Sequence, residues 1–168
     1  MTATDLSTHQ GTWTLDPTRT SVDFTTKAMW ILPVKGTLRA TGGSASLGGD
    51  GTVTGSVVFD AASVDTRNKK RDAHLRTADF FDVEHFPTFA FTVTGGSVRD
   101  GQLELTGDLT VHGQSHAVTV PGKVAADGHE ATFTGTIDID RSVWGLTWTK
   151  LGAGLANHVT VTATFTKD

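Results

Sequence analysis

The sequence contains no cysteine. That removes disulfides, thiolate nucleophiles and cysteine-held metals, and leaves the redox compartment open. No apolar run approaches the ~20 residues of a helical membrane span. A basic surplus is missing too: 14 Lys and Arg against 18 Asp and Glu give a formal charge of −4. Proteins that neutralise phosphates carry a strongly basic face, so nucleic acid is not expected as a partner. The first residues, MTATDLSTHQ, lack the basic start and apolar centre of a secretion signal. The chain therefore reads as cytoplasmic, with residues 1–10 as a loose tail before a single domain over residues 11–168. Methionine is scarce, with two in 168 residues.

Threonine, nineteen glycines and period-two alternation take up the space left by those absences. Threonine is stiff at χ1 and glycine weakens helices, so the composition favours strands and turns. In GTVTGSVVF, Val53, Val57 and Phe59 share one face while Thr52, Thr54 and Ser56 share the other. The same alternation runs through Val22 and Phe24, Val34 and Leu38, and Phe89, Phe91 and Val93. It continues in Leu103, Leu105, Leu109 and Val111, in Val118, Val120 and Val124, in Phe133, Ile137 and Ile139, and in Val159, Val161 and Phe165. About eight such segments, with turn signals at Gly51, Gly101, Gly113 and Gly128, predict an all-β antiparallel meander. Strands apolar on one face either stack as two sheets or close into a barrel, which leaves no edge to protect. Gly36, Gly55, Gly107 and Gly135 occupy the inward register at mid-strand. These glycines either mark corners where strands coil or leave volume open for a ligand. Both readings favour a barrel, and only the second requires a lumen.

One stretch breaks the alternation: RNKKRDAHLRTADFFDVEHFP, from Arg67 to Pro87. It is too long for a hairpin. Asn68 or Thr66 is placed to cap a short polar surface helix through Leu75, Thr77 to cap a second turn around Phe80, and Pro87 to end the excursion. Leu75, Phe80, Phe81 and Phe86 would pin this insert over one barrel opening, as a cover or as an ordinary core plug. Arg67, Lys69, Lys70, Arg71 and Arg76 form either a solvated face balanced by nearby acids or a basic rim that attracts an anionic head group or membrane surface. His74, His85, His112, His116 and His158 lack the clustered spacing of a metal motif, so no metal and no cofactor are expected. Trp30, Trp144 and Trp148 add flat apolar surface that lines a lumen or fills it.

With these pieces in view, the chain resembles the YceI-like family, also called polyisoprenoid-binding or lipocalin-like proteins, from about Trp13 to Phe165. The matching residues are TLDPTRTSVDFTTK with VKGTL, SVDTRNKKRDAHLRTADFFDVEHFPTFAF, GDLTVHGQSHAVTV, DRSVWGL and HVTVTATF. RDAHLRTADFFD followed by a proline and an aromatic strand is the most specific of them. The resemblance implies an extended lipocalin-like antiparallel β-barrel of about eight strands with a short helical insert, whose apolar interior takes an isoprenoid or similar lipid. His74 and His112 match family positions and become, with Arg71 and Arg76, the expected polar contacts. Lys27 and Ala28 stand where the family usually carries Lys-His, which makes this end of the lumen more apolar.

The expected function is therefore carriage or sequestration of a polyprenyl, isoprenoid-quinone or fatty-acid ligand, without catalysis. The lumen set comprises Phe24, Met29, Trp30, Leu38, Gly55, Val57, Phe59, Phe80, Phe81, Phe89, Phe91, Gly107, Leu109, Phe133, Ile137 and Trp144. Transient membrane-surface contact and a homodimer complete the expected partners. An enzyme acting on a lipid or quinone-like substrate is the alternative and would need a titratable cluster facing the lumen. A stress-related module with a filled barrel is a third reading.

Overall fold

The computed structural model describes residues 10–28, 32–48, 52–99, 102–147 and 154–168. The tail expected over residues 1–10 lies outside them except for Gln10. Nine strands among the described residues form one antiparallel sheet: β1 (Gly11–Leu15), β2 (Ser21–Ala28), β3 (Leu32–Leu47), β4 (Val53–Asp65), β5 (Thr88–Arg99), β6 (Gln102–Val111), β7 (Gln114–Ala126), β8 (Glu130–Asp140) and β9 (Ala156–Lys167). In space they run β3, β2, β9, β8, β7, β6, β5, β4, and β4 pairs back onto β3. The sheet is a closed eight-position barrel, as the alternation predicts.

Nine strands fill eight positions because β1 and β2 share one. β1 pairs with both β3 and β9 through Trp13, opposite Ala45 and Lys167. β2 pairs with the same two strands farther along, where Phe24 lies opposite Gly36 and Val159. Between them Pro17–Arg19 make one 3-10 turn, capped by Asp16, which accepts a 3.0 Å hydrogen bond from Thr18 N. Proline cannot donate to a sheet ladder, so the break falls where the sequence puts it.

Connections alternate between two barrel ends. The β3–β4, β5–β6 and β7–β8 links and the outer ends of β1 and β9 lie at the end here called lower. The β2–β3, β6–β7 and β8–β9 links lie at the upper end, with the long β4–β5 insert. His112 and Gly113, at φ 55° and 73°, form the two-residue β6–β7 turn, whose left-handed centre matches strand twist. The outward face is rich in threonine, with the exposed Thr106 and Thr119 hydroxyls 3.5 Å apart across β6 and β7.

The insert carries one helix, α1 (Lys69–Leu75). Asn68 is its cap, accepting from Arg71 N at 3.0 Å. Thr66 does not cap the helix; its amide and hydroxyl donate instead to Asp72 Oδ1 at 2.9 and 2.5 Å. Asp72 is buried by this arrangement, so α1 is not the wholly surface helix its polar sequence suggests. Hydrogen-bonded turns follow, with Phe80 N donating to Thr77 O and Phe81 N to Leu75 O, both at 3.0 Å.

His85 closes the insert, its Nδ1 2.9 Å from Asp82 Oδ1, and that carboxylate raises the imidazole above its ordinary 6.5. A raised folded-state pKa stabilises below the unfolded value and is lost as pH rises through the folded one. Amides of Val83–Phe86 are therefore expected to keep their hydrogen-exchange protection below pH 6.5 and to lose part of it as pH rises above that value, after correction for intrinsic rates. Constant protection on both sides of that value would remove the contact's role.

The mid-strand glycines resolve in favour of corners. A Cβ on Gly36 would strike the Phe24 ring, and one on Gly135 would lie 2.7 Å from the Phe133 ring, so aromatic rings from the barrel wall already cover both positions. At Gly55 a Cβ would strike Ser44 O and lie 2.9 Å from Ala45 Cα, and at Gly107 it would strike Thr92 O and lie 3.0 Å from Val93 Cα. Register shifts between Ala40 and Gly42 and between Val93 and Gly95 mark where the strands bend. The expectation that Gly107 leaves ligand volume is corrected, because the Thr92 backbone takes that space.

Candidate functional site

The barrel still encloses a cavity, of about 730 Å³, for a different reason. Its wall is made of inward side chains too short to meet across the centre. Val53, Phe91, Leu105, Ile137 and Val161 line it. All but Val53 stay only half-buried although they point inward, so the surface they leave uncovered faces the lumen. A filled core would bury them as fully as it buries Trp13 or Val64.

Of the residues expected in the lumen, Phe24, Leu38, Gly55, Val57, Phe59, Phe80, Phe81, Phe89, Phe91, Leu109, Phe133, Ile137 and Trp144 line the cavity. Gly55 does so with backbone. Met29 and Trp30 lie outside the described residues, as does Trp148. Gly107 does not line the cavity, because the β5 backbone at Thr92 closes over it. Ala28 ends β2, paired with Leu32.

Two of the four expected polar contacts reach the cavity. Arg71 and His74 line its upper end, on α1. Arg76 does not: its Nε donates to Ala62 O at 2.9 Å and its Nη2 to Val64 O at 3.3 Å, latching the insert to β4. His112 is also absent from the wall. Its left-handed backbone turns the ring against Phe86, with centroids 4.8 Å apart, and leaves Nδ1 buried without a hydrogen-bond partner among the described residues. His74 Nε2 sits 2.8 Å from Asp79, and His158 Nδ1 2.7 Å from Asp138. No three His, Asp or Glu side chains converge among the described residues.

Trp144 and Arg141 complete the upper end from the β8–β9 connection. Residues Arg141–Trp144 make a 3-10 turn capped by Asp140, which accepts from Ser142 N at 2.9 Å, and Gly145 ends it at φ 82°. Trp144 Nε1 donates to Leu109 O at 2.8 Å, so its polar atom is satisfied while its ring faces the lumen. Arg141 is buried, donating to Leu146 O at 2.6 Å and Gly154 O at 2.9 Å, with its guanidinium 5.3 Å from the Phe80 ring centroid. Burial pulls that guanidinium below its ordinary pKa. Sequence reasoning missed Arg141, although it lies in the family-like segment DRSVWGL. It also left out Trp13, which the alternation with Leu15 marks as inward.

Trp13 lines the lower part of the cavity. It sits on β1, 1% exposed, with Lys167 Nζ 5.9 Å from its ring centroid. The lumen is thus an apolar tube with an indole towards its lower end and polar side chains at its mouth.

Comparison with known proteins agrees with this geometry. The profile of the YceI-like domain matches residues 13–166. Curated relatives named Protein YceI from Shigella flexneri and Salmonella arizonae are each 37% identical over 75 residues, covering 45% of this chain. The match spans 39% of each relative's own length. Among solved structures, Burkholderia cenocepacia BcnA aligns with a TM-score of 0.78 at 22% identity, over 89% of this chain and 98% of its own. A polyisoprenoid binding domain from Saccharophagus degradans aligns at 0.73 and 14% identity, over 93% and 98%. At such identities the two structures show a shared fold alone.

Proposed function

The chain belongs to the YceI-like family, and from that premise we propose that its barrel carries or sequesters a hydrophobic chain of the polyprenyl, isoprenoid-quinone or fatty-acid kind in the lumen. The observation that supports this most is the inward set left half-buried, because apolar surface facing a cavity is stabilised by whatever apolar chain covers it. That chain would enter past α1 and run down to Trp13. The polyisoprenoid named for the Saccharophagus degradans domain is a ligand of this chemical class.

A binding protein is favoured over an enzyme by the wall itself. Acid–base or nucleophilic chemistry needs groups that converge on one reacting atom. The described wall below the mouth is instead mainly valine, leucine, isoleucine, phenylalanine and alanine, and the Ser44, Thr54 and Ser56 hydroxyls that also line it have no Asp or Glu beside them in that lining. The cytoplasm as site of action, brief membrane contact during loading and a homodimer belong to the same proposal and rest on sequence reasoning.

Organic extraction of freshly purified protein, followed by mass spectrometry, tests it. One chain-like lipid in near-stoichiometric amount is expected. Protein that yields no lipid, and takes up none when offered prenols or long-chain fatty acids, overturns it.

A further inference from the structure

The charge lining the lumen is one-sided. Lys70, Arg71 and Arg141 line the cavity, and no Asp or Glu does so among the described residues. A cavity that served only a neutral hydrocarbon would have no use for three cations at one end, since desolvating a charge costs free energy unless something compensates it. We infer that the bound molecule is an anionic amphiphile, with a carboxylate or phosphate head held among Lys70, Arg71 and Arg141 beneath α1 and its tail directed at Trp13. This deepens the carrier reading and rests on it.

The local bonding supports the assignment. Arg71 is committed to a neutral group, donating from Nε to Thr66 Oγ1 at 2.8 Å and from Nη2 to Thr66 O at 2.9 Å. Thr66 in turn donates to Asp72, so the nearest carboxylate sits behind threonine and holds Arg71 in place from outside the lumen. The arrangement fixes the guanidinium and leaves part of its donor fork facing the cavity. Lys70 has no ion pair among the described residues and is exposed at the mouth, where a long flexible stem lets the ammonium follow a head group. Other charged groups nearby are already engaged: Asp79 with His74, and Asp140 with Ser142. Asp72 sits behind Arg71 and Asp140 acts on the adjacent Arg141, so two of the three cations are offset and the exposed Lys70 keeps the mouth positive.

Three probes of twenty carbons each are titrated into the purified full chain: geranylgeranyl phosphate and geranylgeraniol, which share one tail and differ only in the head, and arachidic acid, which brings a carboxylate on a straight tail. The expected result is that at least one anionic probe binds about tenfold more tightly than the alcohol, and that about 0.5 M salt narrows the gap. In Lys70→Glu the ratio of anionic to neutral affinity is expected to fall by about tenfold. Lys70 is solvent-exposed on α1, so this variant folds, and thermal melting confirms it. Which anion binds best distinguishes a fatty acid from a prenyl phosphate. Equal affinity for all three probes, or a ratio unmoved by Lys70→Glu, overturns the anionic head group while leaving the carrier reading intact. Binding of none of them overturns the carrier reading and this inference with it.

Discussion

Gly107→Leu should melt well below the parent protein. A Cβ at this position meets Thr92 O and comes within 3.0 Å of Val93 Cα. Both are backbone atoms, so β5 must move as a strand, and no rotamer change relieves the clash. Overpacking of this kind costs about 3 kcal/mol, the upper part of its usual range. For a domain of this size that lowers the melting temperature by about 6–12 °C. Gly107→Ala should show most of the effect, because the first carbon makes the clash. Gly42→Ala is the matched control: a Cβ there has nothing within 4 Å. It should be neutral or slightly stabilising, because a strand glycine carries an entropic cost of about 0.5–1 kcal/mol. Differential scanning fluorimetry on the three variants decides the matter. A Gly107→Leu protein that melts with the parent would refute the close approach of β5 and β6.

Trp13→Ala is expected to have the second large effect, on both stability and ligand choice. Trp13 is among the largest fully buried side chains, so truncation costs about 3–5 kcal/mol in the ligand-free protein. Its removal also deepens the lumen towards Lys167, since the indole is the surface on which a tail would end. Longer prenyl tails should then gain affinity relative to shorter ones, and a bound long tail should recover part of the lost melting temperature. Parallel titration of parent and variant with prenols of increasing length measures the shift. The placing of the indole at the tail's end fails if the preferred length does not change, and the packing assignment fails if the ligand-free variant melts with the parent.

Strand register was readable because a period of two is imposed by the pleat and needs no tertiary information. Thus Phe91, Leu105, Ile137 and Val161 could be placed inward from their spacing, and the structure puts them on the lumen wall. The same spacing could not say what fills the space beside a glycine. Gly36 and Gly55 look alike in sequence, yet a Phe24 ring covers one and the Ser44 backbone covers the other. That difference lies in strand coiling and bulges, which depend on neighbours far away in the chain. The polar contacts divided for a similar reason. Arg71 and Arg76 sit five residues apart in one basic stretch, but helix direction aims the first at the lumen while the second finds the Ala62 and Val64 carbonyls. His112 escapes the wall because its left-handed turn reverses the side chain, which no alternation rule anticipates.

The shared barrel position of β1 and β2 bears on how the protein is made. Closure joins the first and last strands of the barrel: Trp13 pairs with Lys167, Thr14 Oγ1 donates to Asp168 Oδ1, and Asp168 N donates to Thr12 O. The ladder that β2 and β8 require from β9 cannot form until residues 156–167 have been synthesised and have left the ribosome. Until then the apolar wall is an open trough with two unpaired edges, the condition in which β-rich chains fold slowly and are exposed to aggregation. A lipid or a chaperone that covers the trough during those seconds would act on the nascent chain, so the surface that later encloses a ligand is also the surface most in need of one at birth.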